Sequence, residues 1–190
     1  MKLIGITGKS GSGKSTLTQM LNHDNNYNVI NMDGLVHSLL EKEQIKLGLV
    51  DMFGSDILEN NVINRKKLGA KVFANKACTD QYNNYIYEFM KKEIDSIIST
   101  SNKDIILDWP MLTVTHYFEK CDYTILVVAN SDTRQDRVVK RDNIKAEYHK
   151  NRDLPDELFE GKLFDIVVDN DNSLQTLQQY ADEILRQIEG

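Results

Sequence analysis

The stretch Gly8-Lys9-Ser10-Gly11-Ser12-Gly13-Lys14-Ser15, followed by Thr16, constrains this chain more than any other. It matches the pattern of glycine, four residues, Gly-Lys and Ser or Thr that cradles phosphate groups. The apolar run Leu3-Ile4-Gly5-Ile6 reads as a buried strand leading in. Lys14 to Leu21 leads out as a helix, with Leu17, Met20 and Leu21 on one side. Glycines at 8, 11 and 13 let the backbone turn tightly and aim successive N–H groups at an anion. The helix that opens at Gly13 or Lys14 adds its positive N-terminal end. Gly11, Ser12, Gly13, Lys14, Ser15 and Thr16 are therefore the expected contacts of a nucleoside triphosphate such as ATP. Lys14 would reach the β and γ phosphates, and the Ser15 hydroxyl would be a Mg²⁺ ligand.

Composition bounds the rest. A chain of 190 residues suffices for one α/β domain with at most a small inserted or mobile part. The formal net charge of −6 argues against non-specific nucleic-acid binding, which needs a basic surface to displace counterions. Cys78 and Cys121 show no metal or redox spacing, and His23, His37, His116 and His149 do not pair as ligands. The first apolar run is short and broken by glycine, unlike a secretion signal, and no stretch has transmembrane length. A cytoplasmic protein acting on small molecules is expected, as a monomer or small homo-oligomer, without nucleic-acid or membrane partners.

Further along, Val29-Ile30-Asn31-Met32 reads as a second strand ending at Asp33-Gly34, and Leu35 to Leu47 as a helix. Phe53-Gly54 and Asn60-Asn61 mark turns. A helix begins near Asn64, and a longer one spans Tyr82 to Ile98. Ile105-Ile106-Leu107 gives a third strand running into Asp108, and Thr124 to Ala129 a fourth, after which Ser131 can cap a helix reaching about Asp142. Asn143 to Lys162 is charged and weakly periodic, a candidate mobile segment. Ile166-Val167-Val168 is a fifth strand, and Ser173 can cap a last helix. Five apolar strands alternating with helices imply a parallel sheet covered on both faces, with the ligand site at the carboxyl ends of the strands.

Two acids sit at such ends. Phosphoryl transfer needs a metal bridging the β and γ oxygens, and a carboxylate to orient or deprotonate the attacking hydroxyl. Asp33 and Asp108 could divide that labour, and spacing alone leaves open which is the base. Arg134, Arg137 and Arg141 share one helix face and offer planar donors for phosphate oxygens, with Arg152 beyond them in the segment that reads as a closing lid.

Taken in order, these motifs resemble the dephospho-coenzyme A kinase family of phosphate-loop kinases. The resemblance runs from Gly5-Ile6-Thr7-Gly8 through Asp33 with His37, Phe53-Gly54 with Ile57-Leu58, and Asn64-Arg65-Lys66-Lys67-Leu68 with Val72-Phe73. It continues through Asp108 with Pro110 and Leu112, Arg137 with Arg141-Asp142, and Asp165 to Asn170. It implies an α/β fold with a five-stranded parallel sheet of order 2-3-1-4-5 sandwiched by helices. Within one kinase domain of residues 1–190, it implies a helical acceptor-binding region over 34–100 and a short lid over 142–162. Asp33 would take the proton from the ribose 3′-hydroxyl of dephospho-coenzyme A, and Arg65 would lie near the acceptor. Lys14 and Arg141 would assist transfer, Arg141 from the lid, and Asp108 would serve the substrate or the metal. The sequence departs from the family where Asn31 and Asp33 stand for paired acids, where Tyr87-Glu88 replaces a His-Pro pair, and where Leu112-Thr113-Val114 replaces Leu-Phe-Glu. The alternatives are a kinase acting on a nucleoside, nucleotide or other small alcohol, and a non-catalytic nucleotide-binding regulator.

Overall fold

The structure, a computed structural model, describes residues 1–142 and 154–190. Along the chain the elements are β1 (Leu3–Thr7), α1 (Lys14–Leu21), β2 (Asn28–Asn31), α2 (Met32–Leu40), α3 (Glu43–Phe53), β3 (Leu58–Glu59) and β4 (Val62–Ile63). They continue with α4 (Arg65–Val72), α5 (Lys76–Thr100), β5 (Ile105–Asp108), β6 (Tyr123–Val128), α6 (Ser131–Asp142), β7 (Ile166–Asp169) and α7 (Leu174–Glu189). Two compact units result, one of Met1–Asn31 with Ser101–Gly190, the other of Met32–Thr100.

The first unit is built on a five-stranded, all-parallel sheet in the order β2-β5-β1-β6-β7. Numbered among themselves, these strands run 2-3-1-4-5, as the resemblance implies. The inner strands β1 and β5 are buried along their whole length, which is why they read as unbroken apolar runs. Ile4, Ile6, Ile106, Ile125, Val127 and Val168 form the core with Leu17 and Leu21 of α1. From α7 come Leu177, Ala181, Ile184 and Ile188, one face of that helix. Each large apolar side chain so buried contributes about 1.5–3 kcal/mol. Gly5 is the exception in β1 because a Cβ there would strike Leu112 and come within 2.8 Å of the Cys121 sulfur. The strand register sets Asp108, at the end of β5, beside Ile6 on one side and Asn31 on the other.

The second unit holds α2 to α5 and the β3–β4 hairpin. Asn60 and Asn61 both take positive φ, 49° and 62°, the geometry a two-residue hairpin turn demands. Asn64 caps α4 by accepting from the backbone of Lys66 and Lys67. Lys71 ties α4 to the preceding turn, donating to the Phe53 carbonyl at 2.7 Å and to Asp56 at 2.6 Å. That ammonium holds the Asp56 carboxyl below the usual range.

Several boundaries differ from the sequence reading. Leu35 to Leu47 is not one helix: α2 stops at Leu40 and α3 starts at Glu43, after an extended Lys42. The five-residue step from Leu40 to Ile45 would rotate Ile45 off a continuous apolar stripe, and the break lets both be buried. Met32 opens α2 rather than closing β2, so Asp33 lies in a helical first turn. The long helix begins at Lys76, six residues before Tyr82. Asn130, not Ser131, caps α6, its side-chain oxygen accepting from the Thr133 N–H at 2.8 Å. Of the expected lid, residues 143–153, Arg152 among them, lie outside the described residues; the part that is described includes a short 3-10 turn, Asp156–Leu158.

Cys121, half-buried beneath β1, donates to the Tyr117 carbonyl. Burial, reinforced by Asp122 and Asp165, pushes its thiol up to about 12. The thiolate is the reactive form, so at pH 8 Cys121 should alkylate on the order of 10³ more slowly than a free thiol. Mass spectrometry after brief iodoacetamide treatment should find label on Cys78 alone, and equal labelling of both would contradict this packing.

Candidate active site

A loop that aims its N–H groups at phosphate must turn its carbonyls the other way, and those carbonyls need donors. Here they have them. Arg134 of α6 donates to the Ser10 carbonyl at 3.4 Å. Arg137 reaches the Gly11 carbonyl at 3.4 Å and that of Ser12 at 3.5 Å. Asn170, just past β7, donates its side-chain amide to the Ser12 carbonyl at 2.7 Å, while its own carbonyl accepts from Arg137 at 2.8 Å. The Lys9 carbonyl accepts from the Ser12 N–H and from the Lys14 ammonium, at 3.2 and 3.3 Å. Arg134 and Asn170 are both buried. Gly13 takes φ 104° at the start of α1, and any side chain there would run into the Asn170 amide. Conformation and close approach together require glycine.

Of the arginines expected to meet phosphate, Arg134 and Arg137 thus hold the loop from behind, on its carbonyl side. Arg141 lies exposed near the end of α6. Lys14 is buried in the loop, and Thr16 is half-buried in the first turn of α1. Lys9 makes an ion pair with Asp156 at 2.7 Å. Lys9 foremost, and then Arg134, hold the Asp156 carboxyl below its ordinary range.

The acid Asp108 joins this unit. It is only 3% exposed, yet two donors reach the same carboxylate oxygen, Oδ2: the Ser15 hydroxyl at 3.1 Å and the Asn31 amide at 3.1 Å. Hydrogen bonds of this kind replace part of the water that a carboxyl loses on burial. Ser15 and Asp108 fit a magnesium ion by their chemistry, since both offer hard oxygen atoms and sit side by side. No cluster of three or more His, Cys, Asp or Glu side chains suited to a metal exists among the described residues. Such an ion would therefore be held by few protein atoms and by ligand phosphates, the usual arrangement for Mg²⁺.

The remaining expected site residues belong to the second unit. Asp33 is exposed in the first turn of α2, and Arg65 is the exposed first residue of α4. Burial pushes the Tyr82 phenol up, and the Arg65 charge partly opposes that, which places Arg65 in the neighbourhood of Tyr82. Sequence reasoning passed over Asn170 and Asn31 as site residues. Each is an asparagine at or just after the carboxyl end of an apolar strand, a position that could have flagged it.

Removing the Asn170 amide leaves the Ser12 carbonyl with only the longer bond from Arg137. Loss of one hydrogen bond from an acceptor that keeps another donor costs about 0.5–1.5 kcal/mol. Asn170→Ala should therefore weaken binding of a non-hydrolysable ATP analogue by roughly 2- to 10-fold. Calorimetric titration checks this, and unchanged affinity would separate Asn170 from the loop's function.

Comparison with known proteins agrees with this geometry. The family description "Dephospho-CoA kinase" matches residues 2–176. Among curated relatives, dephospho-CoA kinase of Helicobacter pylori is 31% identical over 196 residues, covering 96% of this chain and 95% of that protein. That of Fusobacterium nucleatum is 28% identical over 192 residues, covering 92% of each. Among solved structures, a Thermus thermophilus protein superposes with TM-score 0.81 at 24% identity, over 100% of this chain and 98% of that one. Dephospho-CoA kinase from Campylobacter jejuni gives 0.69 at 23% identity, over 98% and 96%. With a family match over nearly its whole length, the chain belongs to the dephospho-CoA kinase family.

Proposed function

We propose that this protein transfers the γ-phosphate of ATP to the ribose 3′-hydroxyl of dephospho-coenzyme A, the last step of coenzyme A synthesis. The observation that carries the reading is the hydrogen bond from Ser15 of the phosphate loop to Asp108, beside a buried Lys14. It joins the loop's hydroxyl to a strand-end acid, the pair of groups from which kinases hold a metal and a triphosphate.

The loop N–H groups and the Lys14 ammonium bind the β and γ phosphates and meet charge as it develops on the transferring group. They are held in place beforehand by the bonds on their carbonyl side, so little reorganisation accompanies transfer. A Mg²⁺ ion held by Ser15, with Asp108 alongside, would neutralise charge on the β and γ oxygens. Asp108 already accepts from Ser15 and Asn31 and is buried, which suits it to that holding task. Asp33, exposed two residues beyond β2, is left as the base that takes the proton of the 3′-hydroxyl. Arg65 contributes a cation toward the anionic acceptor, and Arg141 one toward the transferring phosphate. No helix among the described residues is long and apolar enough to cross a membrane. With both cysteines free, a reducing cytoplasm is the setting this reading implies.

ADP release with Mg-ATP should be stimulated by dephospho-coenzyme A and not by a panel of nucleosides and monophosphates. Stimulation by a panel member alone would move the acceptor assignment to that compound. Asp33→Asn should lower turnover by about 10²–10⁴ while ATP affinity stays near wild type, because a base is lost and shape is kept. Lys14→Ala should lower turnover by on the order of 10²–10³, the usual loss for one charge donor. Wild-type turnover at saturating ATP in either variant would remove that residue from the mechanism.

A further inference from the structure

Asn31 ends β2 in register with Asp108 of β5, so both side chains emerge at the same carboxyl edge of the sheet. Its amide nitrogen lies 3.1 Å from Asp108 Oδ2, the oxygen that also accepts from the Ser15 hydroxyl at 3.1 Å. The amide can present only its N–H₂ end to a carboxylate, since its own oxygen would be repelled. A serine hydroxyl has one proton and two lone pairs. When that proton is given to Asp108, the lone pairs of Ser15 are turned away from the carboxylate, toward the side where a cation and phosphates would lie. The direction of the Ser15 oxygen is thus set by where Asp108 Oδ2 stands, and Oδ2 is in turn held by Asn31. Asn31 is exposed on the outer strand while Asp108 is buried on its neighbour, so the asparagine stands beside the acid.

We infer that Asn31 is a positioning residue for the metal side of the site: it anchors Asp108 so that Ser15 faces a divalent cation. The inference rests on the assignment of Asp108 and Ser15 to that side. Asn31 contributes a neutral donor where a carboxylate would place two negative charges in contact. The anchor therefore works without a metal present, and the site is set before Mg-ATP arrives. Groups that orient a ligand typically alter metal affinity by 10- to 100-fold when lost, though they touch no metal.

The test measures Mn²⁺ binding, by the spin-resonance signal of free Mn²⁺, in the presence of a non-hydrolysable ATP analogue. Asn31→Ala should weaken Mn²⁺ about tenfold, leave analogue affinity without metal unchanged, and raise the half-saturating Mg²⁺ in the kinase assay by a similar factor. Turnover at saturating Mg²⁺ should stay within about twofold of wild type, because the anchor acts on metal capture and not on the transfer itself. Asn31→Asp keeps the shape, loses the donor and sets two carboxylates together. Its melting temperature in EDTA should fall, and Mn²⁺ with the analogue should raise it by more than in wild type. Wild-type Mn²⁺ affinity in Asn31→Ala, or an equal loss of analogue affinity without metal, would overturn the inference. Asp108→Asn separates the two levels. If it leaves Mn²⁺ affinity unchanged, the assignment of Asp108 fails and takes this inference with it. If it weakens Mn²⁺ while Asn31→Ala does not, the inference alone fails.

Discussion

The phosphate loop is held on its carbonyl side, most closely by the Asn170 amide, which donates to the Ser12 carbonyl at 2.7 Å. A phosphate loop without its ligand is a row of convergent N–H dipoles, an arrangement that repels itself and would relax if free to do so. Here relaxation is blocked from the carbonyl side. Ser10, Gly11 and Ser12 each present a carbonyl to a donor from α6 or from the residue just past β7. The strand that leads to Asn170 is fixed by the core, where Val168 of β7 packs with Val127, Leu177 and Leu17 of α1. Burial of apolar surface on one face of the sheet thus sets the positions of dipoles at its edge, which is how a fold without a preformed ligand can keep an anion site open.

That arrangement also explains how a chain of net charge −6 can hold a polyanion. Its positive charge is not spread over a basic face. Lys14 is buried inside the loop, and Arg134 is buried behind it with its guanidinium on a loop carbonyl. Lys9 is matched by Asp156, so one cation at the loop already has a carboxylate partner from the segment that precedes β7. Fields from a few oriented, partly dehydrated groups outweigh a distant surplus of surface acids, because the latter are screened by water and salt over about 10 Å.

Much of this was legible in the sequence. The loop between β1 and α1 and the placing of Asp108 at a strand end follow from apolar runs and glycine spacing, and the strand order from the resemblance to the kinase family. What was not legible turns on direction and pairing. The face shared by Arg134 and Arg137 could be read from their three-residue spacing, but not that their guanidinium groups would meet backbone oxygens. A carbonyl is present at every residue and leaves no mark in the sequence. The break between α2 and α3 was hidden because charged residues such as Glu41 and Lys42 suit a helix by propensity, and only the burial of Leu40 and Ile45 overrules them. Asn130 outcompeted Ser131 as a cap through a one-residue shift that propensity does not resolve.

The two strand-end acids illustrate the same limit. Spacing makes Asp33 and Asp108 equivalent, since each follows an apolar strand. Structure separates them by what surrounds each carboxylate. Asp108 is enclosed, with two donors on one oxygen. A proton acceptor needs the opposite: access to a mobile hydroxyl, and no prior donor that the hydroxyl would have to displace. Asp33 is exposed on the first turn of α2. Had Asn31 been an acid, two carboxylates would have stood side by side at this edge of the sheet. A neutral amide at that position donates to Asp108 without adding a second charge beside it.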